Sequence, residues 1–267
     1  MQDKLMLYLI VFTKNIKQQM MYRSEFLLSS VGALLFIYVQ IAIWQALLGQ
    51  SPHLSPLGIN AMITYIIVAY ILRQASRTHF AVAFADKMNK GDIAVDLIRP
   101  VNIKNMMISE QLSENICIIV FSCLPVAVIA GFIWGFEFIA GLTMMLLFLI
   151  SAILAIALHF YLDYTFGLLV FWVRNANHPR QLLGGLITIF SGSAVPLWFY
   201  PEWLRNIGMF LPFSLLAFDP IQIFLATVST HGAMMIITRQ IGWLFAIWLT
   251  ERLVWSRIKN NVFVQGG

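Results

Sequence analysis

The chain is poor in charge and in cysteine, and it lacks the short signatures that carry nucleotide or metal chemistry. Asp, Glu, Lys and Arg supply 11% of its 267 residues, against about 25% in ordinary soluble domains. The deficit is concentrated. Histidine aside, nothing ionisable lies between Glu25 and Arg73, a run of 47 residues. Further uncharged stretches run from Asn115 to Gly135, from Phe138 to Leu162 and from Gln181 to Pro201. A helix needs about 20 predominantly apolar residues to cross the hydrocarbon core of a bilayer. A soluble domain of this length would not leave four such stretches uncharged, so soluble-enzyme functions are set aside and a polytopic membrane protein is expected.

Other absences narrow the chemistry. No phosphate-binding glycine loop ending in Gly-Lys-Ser or Gly-Lys-Thr occurs, and no His-Glu-x-x-His metal signature. ATP hydrolysis is therefore not assigned to this chain, and neither a metal nor another cofactor is expected on it. The two cysteines, Cys117 and Cys123, stand six apart inside an apolar stretch; on a helix they point in different directions, which argues against a shared metal or a disulfide. The net charge of +5 does not indicate nucleic acid, because the basic residues flank apolar runs and form no single stripe. Anionic lipid and cytoplasmic topology account for them. No cleavable signal is expected, since Leu5 to Phe12 is short and a polar segment follows it.

What is present is 60% hydrophobic, with 21 phenylalanines. Residues 3–25 read as an interfacial helix, because Lys14, Asn15, Lys17, Gln18, Gln19 and Arg23 alternate with Ile16, Met20, Met21 and Tyr22. An ordinary N-terminal cytoplasmic helix is the alternative. Six spans are expected, at about 26–48, 57–80, 112–134, 138–161, 182–199 and 233–255. Pro125 should kink the third, and Gly184, Gly185, Gly192 and Pro196 suggest close packing or an irregular helix in the fifth. Residues 81–111 form the longest strongly charged stretch. Residues 200–232 are apolar yet interrupted by Pro201, Glu202, Arg205, Pro212, Asp219 and Pro220, and read as two short helices dipping into the far leaflet. Such pieces are tolerable only where their backbone polar groups are satisfied within protein.

Charge gives the orientation. With six spans, one side carries 15 of the 17 Lys and Arg residues, and the other keeps only Arg205 and Arg239. The positive-inside bias then puts both termini in the cytoplasm. Ionisable groups within spans are functional candidates by default, but Glu114, Asp163 and Arg239 each stand close enough to an interface to snorkel. His159 is the one histidine clearly within a span. Asp163, Arg174 and His178 make the best available enzymatic set, and their spacing specifies no reaction.

The stretch from Gly91 to Pro100 reads Gly-Asp-Ile-Ala-Val-Asp-Leu-Ile-Arg-Pro. Asp92 and Asp96 fall four apart on one helical face, while Ile93, Leu97 and Ile98 offer apolar contacts. Pro100 stops the helix. Such a helix beside a membrane suits docking onto a partner protein, the alternative being a self-contained solvated helix.

Here the sequence resembles the transmembrane subunits of ABC-2 type ABC transporters, specifically bacterial permeases of this size that accompany a separate ATPase. The likeness rests on Tyr-Arg-Ser-Glu-Phe at Tyr22 to Phe26, on Gly91 to Pro100 as a Gly-x-Ile-x-x-x-Leu-x-Arg-Pro segment, and on Phe190 to Pro201 before the broken apolar stretch. The resemblance implies an all-α fold of six transmembrane helices, with an N-terminal elbow helix and re-entrant outer helices between spans five and six. It implies that residues 86–100 couple the permease to the ATPase, with Asp86, Asp92, Ile93, Asp96, Leu97, Ile98, Arg99 and Pro100 as contacts. Two permease chains, identical or homologous, would work with two ATPase chains that hold ATP and Mg in the bacterial inner membrane. Path residues are expected in spans one, two and five: Trp44, Tyr65, Tyr70, Phe190, Ser191 and Ser193. Their aromatics and hydroxyls suit export of an amphipathic or lipid-like cargo, such as a drug, peptide or envelope glycolipid. Each could equally pack or anchor at an interface. An ion-coupled carrier or channel is the competing function.

Overall fold

A computed structural model describes residues 2–50, 57–90, 103–137, 140–173 and 177–262, and these are helical nearly throughout. Helix α1 (Gln2–Gln19) passes through a 3-10 turn at Met20–Tyr22 into α2 (Arg23–Gln50). Next come α3 (Ile59–Ala75) and α4 (Phe80–Lys90), separated by a four-residue break, then α5 (Ile103–Ile118) and α6 (Leu124–Trp134). Helix α7 (Leu142–Leu168) is followed by the single turn α8 (Val170–Val173) and by α9 (Asn177–Phe190). Two short helices, α10 (Glu202–Phe210) and α11 (Phe218–Phe224), lead to α12 (Thr230–Val262). No strand occurs among the described residues.

Among the described residues, five helical rods are long and apolar enough to cross a membrane: Phe26–Gly49, Ile59–Lys87, Lys104–Trp134, Leu142–Val173 and Thr230–Ile258. Six spans were expected. The difference lies at 182–199, where α9 stops at Phe190 and the chain runs non-helically through Ser191–Pro196 before a 3-10 turn at Leu197–Phe199. Helix α9 has 14 residues and so rises about 21 Å, short of the roughly 30 Å hydrocarbon core. Gly192 takes φ +74° and Pro196 lacks an amide hydrogen, so the helix cannot continue through either.

Other boundaries shifted for local reasons. The third span starts about nine residues before the expected Leu112, because α5 and α6 join through one wide π turn at Ile119–Cys123. Pro125 follows directly, and the widened turn moves the Phe121 carbonyl away from the proline ring. The bend thus takes the form of a π turn ahead of the proline. Cys117 and Cys123 are buried free thiols. The fourth span continues past Tyr161, and Asp163, expected at its exit, is a buried residue inside α7.

The centre of the bundle is α3. In its rod 72% of the most apolar window is buried, against 17–33% in the other four. Tyr65, Ile67 and Met62 meet Ile37 and Ile41 of α2, Val126 and Ala130 of α6, and Leu197, Phe218 and Ile221 of the stretch between α9 and α12 in one apolar cluster. A second cluster joins α7, α9 and α12 through Leu158, Leu183, Leu215, Ile223 and Ile236. The third, built on Phe80, Phe84, Tyr164 and Leu168, bolts α4 to α7. Gly167 allows that approach, since a Cβ there would stand 3.1 Å from the Ala81 nitrogen and the Phe84 ring.

Polar ties close the end of the bundle that holds α10 and α11. Asp219, 1% exposed, accepts a 2.8 Å hydrogen bond from Ser214 and lies 3.5 Å from Arg239 of α12. Arg239 also donates to the Met209 carbonyl. Burial pushes the Asp219 carboxyl above the ordinary carboxylate range, while Arg239 and Ser214 pull it back. Gln240 is fully buried and saturated: it donates to the Ser151 and Leu215 carbonyls at 3.0 Å each and accepts from the Ser151 hydroxyl at 3.0 Å. Removing one partner of a buried ion pair costs about 3–5 kcal/mol. Asp219→Ala is expected near the low end, because Arg239 keeps 30% side-chain exposure, and Asp219→Ala/Arg239→Met should recover part of the loss. Thermal unfolding in a neutral detergent, followed by tryptophan fluorescence, checks both.

Candidate functional site

Two groups of residues were singled out from the sequence. Of the docking set, Asp86 lies exposed on α4, whereas Asp92, Ile93, Asp96, Leu97, Ile98, Arg99 and Pro100 lie outside the described residues. The flanks of that segment are firmly placed. On its N-terminal side the first amide of α4, from Phe80, donates to Asp163 of α7 at 3.1 Å. On its C-terminal side Lys104 forms a 2.6 Å ion pair with Glu251 of α12, with side chains 15% and 7% exposed. The same ammonium lies 4.2 Å from the ring centroid of Tyr161 and 5.4 Å from that of Tyr164, within cation–π range. Both ends of the charged stretch are therefore fastened to α7, and one also to α12. Sequence reading passed over Glu251 and Lys104 as a pair because 147 residues separate them.

The break at 76–79, between α3 and α4, is clamped from α5. The Asn115 amide donates to the carbonyls of Ala75 (3.0 Å) and Arg77 (2.9 Å), and Gln111 accepts from the His79 amide at 3.2 Å. Gln111 in turn donates to Asn115 and Glu114. These contacts satisfy backbone groups that a broken helix leaves open.

The six expected path residues divide. Trp44, Tyr65, Tyr70 and Ser193 line one cleft between α2, α3 and the link after α9. Two helical stripes form its walls: Phe36, Gln40 and Trp44 on α2, spaced four apart, and Ile66, Tyr70 and Arg73 on α3, spaced four and three apart. The link from Ser193 to Pro196 closes the end. Phe190 and Ser191 fall beside it. Phe190 stacks on Phe213 with centroids 6.4 Å apart, and the Ser191 hydroxyl donates to that of Ser193 at 2.9 Å. The cleft is nearly shut, with a free volume of about 10 Å³, room for about one water.

Its closed end depends on one hydrogen bond. The Tyr65 hydroxyl donates to the Gly192 carbonyl at 2.6 Å, wholly buried. Gly192 packs so tightly that a Cβ would stand 2.7 Å from the Phe218 Cβ. Trp44, Phe199, Trp198 and Phe218 pack around this point, with Tyr65 edge-on to Trp198 at 5.4 Å. The Trp198 indole nitrogen is buried without a hydrogen-bond partner among the described residues.

An all-helical bundle with several long apolar rods, a seam between the first two and a charged segment braced at both ends can now be compared with known families. The sequence model for the ABC-2 family transporter proteins matches residues 33–260, from the first rod into the last. The chain belongs to the ABC-2 transporter family. No curated protein matches it significantly. As an ABC-2 permease it is a multi-pass membrane protein and a transmembrane component of transport, in a family whose permeases are generally non-catalytic. The matched region contains both cleft walls and both braces of the charged segment.

Arg73 and Gln40 of the permease went unnoticed as cleft residues in the sequence. In the sequence Arg73 only marks the end of an uncharged run, and the facing of two stripes is what places it in the cleft. For the seam itself, Tyr65→Phe leaves the Gly192 carbonyl unpaired and should cost about 1–3 kcal/mol. Gly192→Ala should cost more, because it adds a clash to a strained positive φ. Unfolding midpoints of the two purified variants, ranked against the parent, test this order.

Proposed function

We propose that this permease is the membrane subunit of an ATP-driven exporter that moves an amphipathic or lipid-like cargo out of the cytoplasm. The observation that carries the proposal is the match of the ABC-2 family across residues 33–260 in a chain without a nucleotide-binding loop of its own. The energy source then sits on a separate ABC ATPase, two copies of which hold ATP and Mg. A second permease chain, identical or homologous, completes the unit. Membrane lipid surrounds it.

The working cycle follows from the braces. ATP closes the partner ATPases, and their movement enters the permease through residues 86–100. The segment's flanks are tied to α7 at Asp163 and to α12 at Glu251, so displacement reaches packed helices on both sides. Helix α3 continues across the clamped break from α4 and carries one wall of the cleft. Parting of α2 from α3 opens a path lined by Trp44, Tyr65, Tyr70 and Ser193, with Phe190 and Ser191 beside it. The permease supplies differential binding between two conformations and makes no covalent bond.

In this reading α1 is the elbow helix at the membrane surface. Its exposed side chains include Met6, Leu9 and Ile10, while Asn15, Gln18 and Gln19 line a groove of about 230 Å³ with residues of α4 and α5. The short helices α10 and α11 are the re-entrant pair that caps the outer end, α9 together with the link to Phe199 completes a sixth crossing beside the five rods, and both termini then lie in the cytoplasm of a bacterial cell. The lopsided distribution of Lys and Arg supports that orientation.

The deciding experiment is affinity purification of the chain from native membranes in mild detergent, with mass spectrometry of stoichiometric partners. An ABC ATPase is the expected companion, and recovery of the chain only with itself, repeated in lipid nanodiscs, refutes the proposal. Within the intact complex, Asp92→Lys/Asp96→Lys should lower coupled ATPase activity severalfold while leaving the permease folded. Unchanged activity in an assembled complex would remove the docking role of 86–100.

A further inference from the structure

Among the described residues, two half-buried cations are neutralised by buried acids: Lys104 by Glu251 and Arg239 by Asp219. Arg73 stands differently. It lies in the last turn of α3, half-buried, with its guanidinium 4.7 Å from the Phe36 ring centroid. Among the described residues it makes no hydrogen bond and no ion pair. The groups that act on it electrostatically are the Tyr70 phenol and a second cation, Arg77. Across the cleft from it Gln40 also lacks a protein hydrogen bond among the described residues. A cation held inside a membrane protein without a counter-charge is costly, and such residues mark substrate sites.

We propose that Arg73 is the headgroup anchor of the cargo site, and that the cargo is an anionic amphiphile: a phosphate or carboxylate oxyanion on an apolar chain. This deepens the exporter reading and rests on it for why cargo would reach the seam. The planar guanidinium offers a fork of donors that suits two oxygens of such a group, and the Gln40 carboxamide adds a donor from the opposite wall. Beyond them the stripes turn apolar at Ile66 and Trp44, which gives the chain a lipophilic track. A cationic cargo is rejected by like charge, and a neutral one leaves Arg73 unpaired.

The seam is shut, at about 10 Å³, so binding displaces one wall. Helix α2 is the wall that moves: 17% of its apolar window is buried, against 72% for the rod of α3. An oxyanion wedged at Arg73 stabilises the parted state, which is the differential binding a transporter needs.

The test uses the full-length permease in a neutral maltoside detergent, without nucleotide or ATPase, and counts bound lipid by native mass spectrometry. The probes are dioleoyl-phosphatidylglycerol, dioleoyl-phosphatidylcholine, dioleoylglycerol and inorganic phosphate. Wild type should retain phosphatidylglycerol at one tight site, and Arg73→Gln should weaken that site about 10- to 100-fold, the range of a charge-assisted hydrogen bond. Arg77→Gln should leave it intact, and Arg73→Lys should weaken it severalfold with an unchanged unfolding midpoint. Arg73→Gln should unfold no earlier than wild type, because it removes an unpaired charge; if it does unfold earlier, Arg73→Lys alone decides. Equal retention by wild type and the Arg73 variants overturns the proposal, as does equal binding of phosphatidylcholine or dioleoylglycerol. Inorganic phosphate bound as tightly as phosphatidylglycerol would make this a free-anion site and overturn the amphiphile. A failure here leaves the exporter reading standing, since that reading is judged on the copurifying ATPase.

Discussion

Hydrocarbon offers no water to a backbone group left open, and that constraint governs the breaks in helix among the described residues. A continuous helix satisfies itself, whereas each break needs a side chain from elsewhere. The break at 76–79 has Asn115 and Gln111 on one side and Asp163 on the other. The link after α9 has Tyr65 on the Gly192 carbonyl and the Phe218 amide on that of Ser191, at 2.9 Å. Gln240 holds the Leu215 carbonyl under the short helices α10 and α11. The polar residues of the bundle are thus distributed by the positions of its breaks.

Those breaks are also where the architecture departs from plain rods, and they cluster around α3. One lies at its C-terminal end, where it hands over to α4. Another packs against Tyr65, near the opposite end. The helix between them is sheathed on nearly every side, so it behaves as a rigid strut between two jointed regions. The Lys104–Glu251 pair and the aromatic packing of Phe80 and Phe84 on Tyr164 make the joint beside the charged segment equally firm on the α7 side. Of the rods packed around it α2 is the least buried, which gives the proposed cycle a direction in which to open.

Much of this was legible in the sequence, because hydropathy reports directly on the environment of a membrane helix. The gaps in charge located α2, α3, α6 and α7 to within a few residues at one end or the other, and the last span, expected at about 233–255, falls within α12. The interruptions by Pro201, Pro212 and Pro220 foretold short helices, and α10 and α11 fall there. The family resemblance, with residue type, put Trp44, Tyr65, Tyr70 and Ser193 in one list with Phe190 and Ser191, and the first four line one cleft. The misses share a cause. Whether α9 continues through Gly192 depends on Phe218 and Tyr65, far away in the chain. The carboxylate of Asp163 looks like a helix exit until the α4 amide it accepts is seen. Arg73 looks like the end of an uncharged run until Phe36 and Gln40 face it. Local pattern carries period and hydropathy, but a contact between distant parts of the chain leaves no local trace.

The Tyr65–Gly192 tie spans 127 residues of sequence, and this has a consequence for biosynthesis. At roughly 5–20 residues per second of elongation, Tyr65 enters the bilayer some 6–25 s before its acceptor exists. During that interval the segment bearing Tyr65, Thr64 and Tyr70 lacks the lid formed by Leu197, Phe218 and Ile221. The hydroxyl faces lipid, the insertion machinery or the still loosely held α2. Maturation of the central helix is thereby deferred until the last third of the chain has been made, and a nascent chain halted before residue 192 holds its most buried helix in an unfinished state.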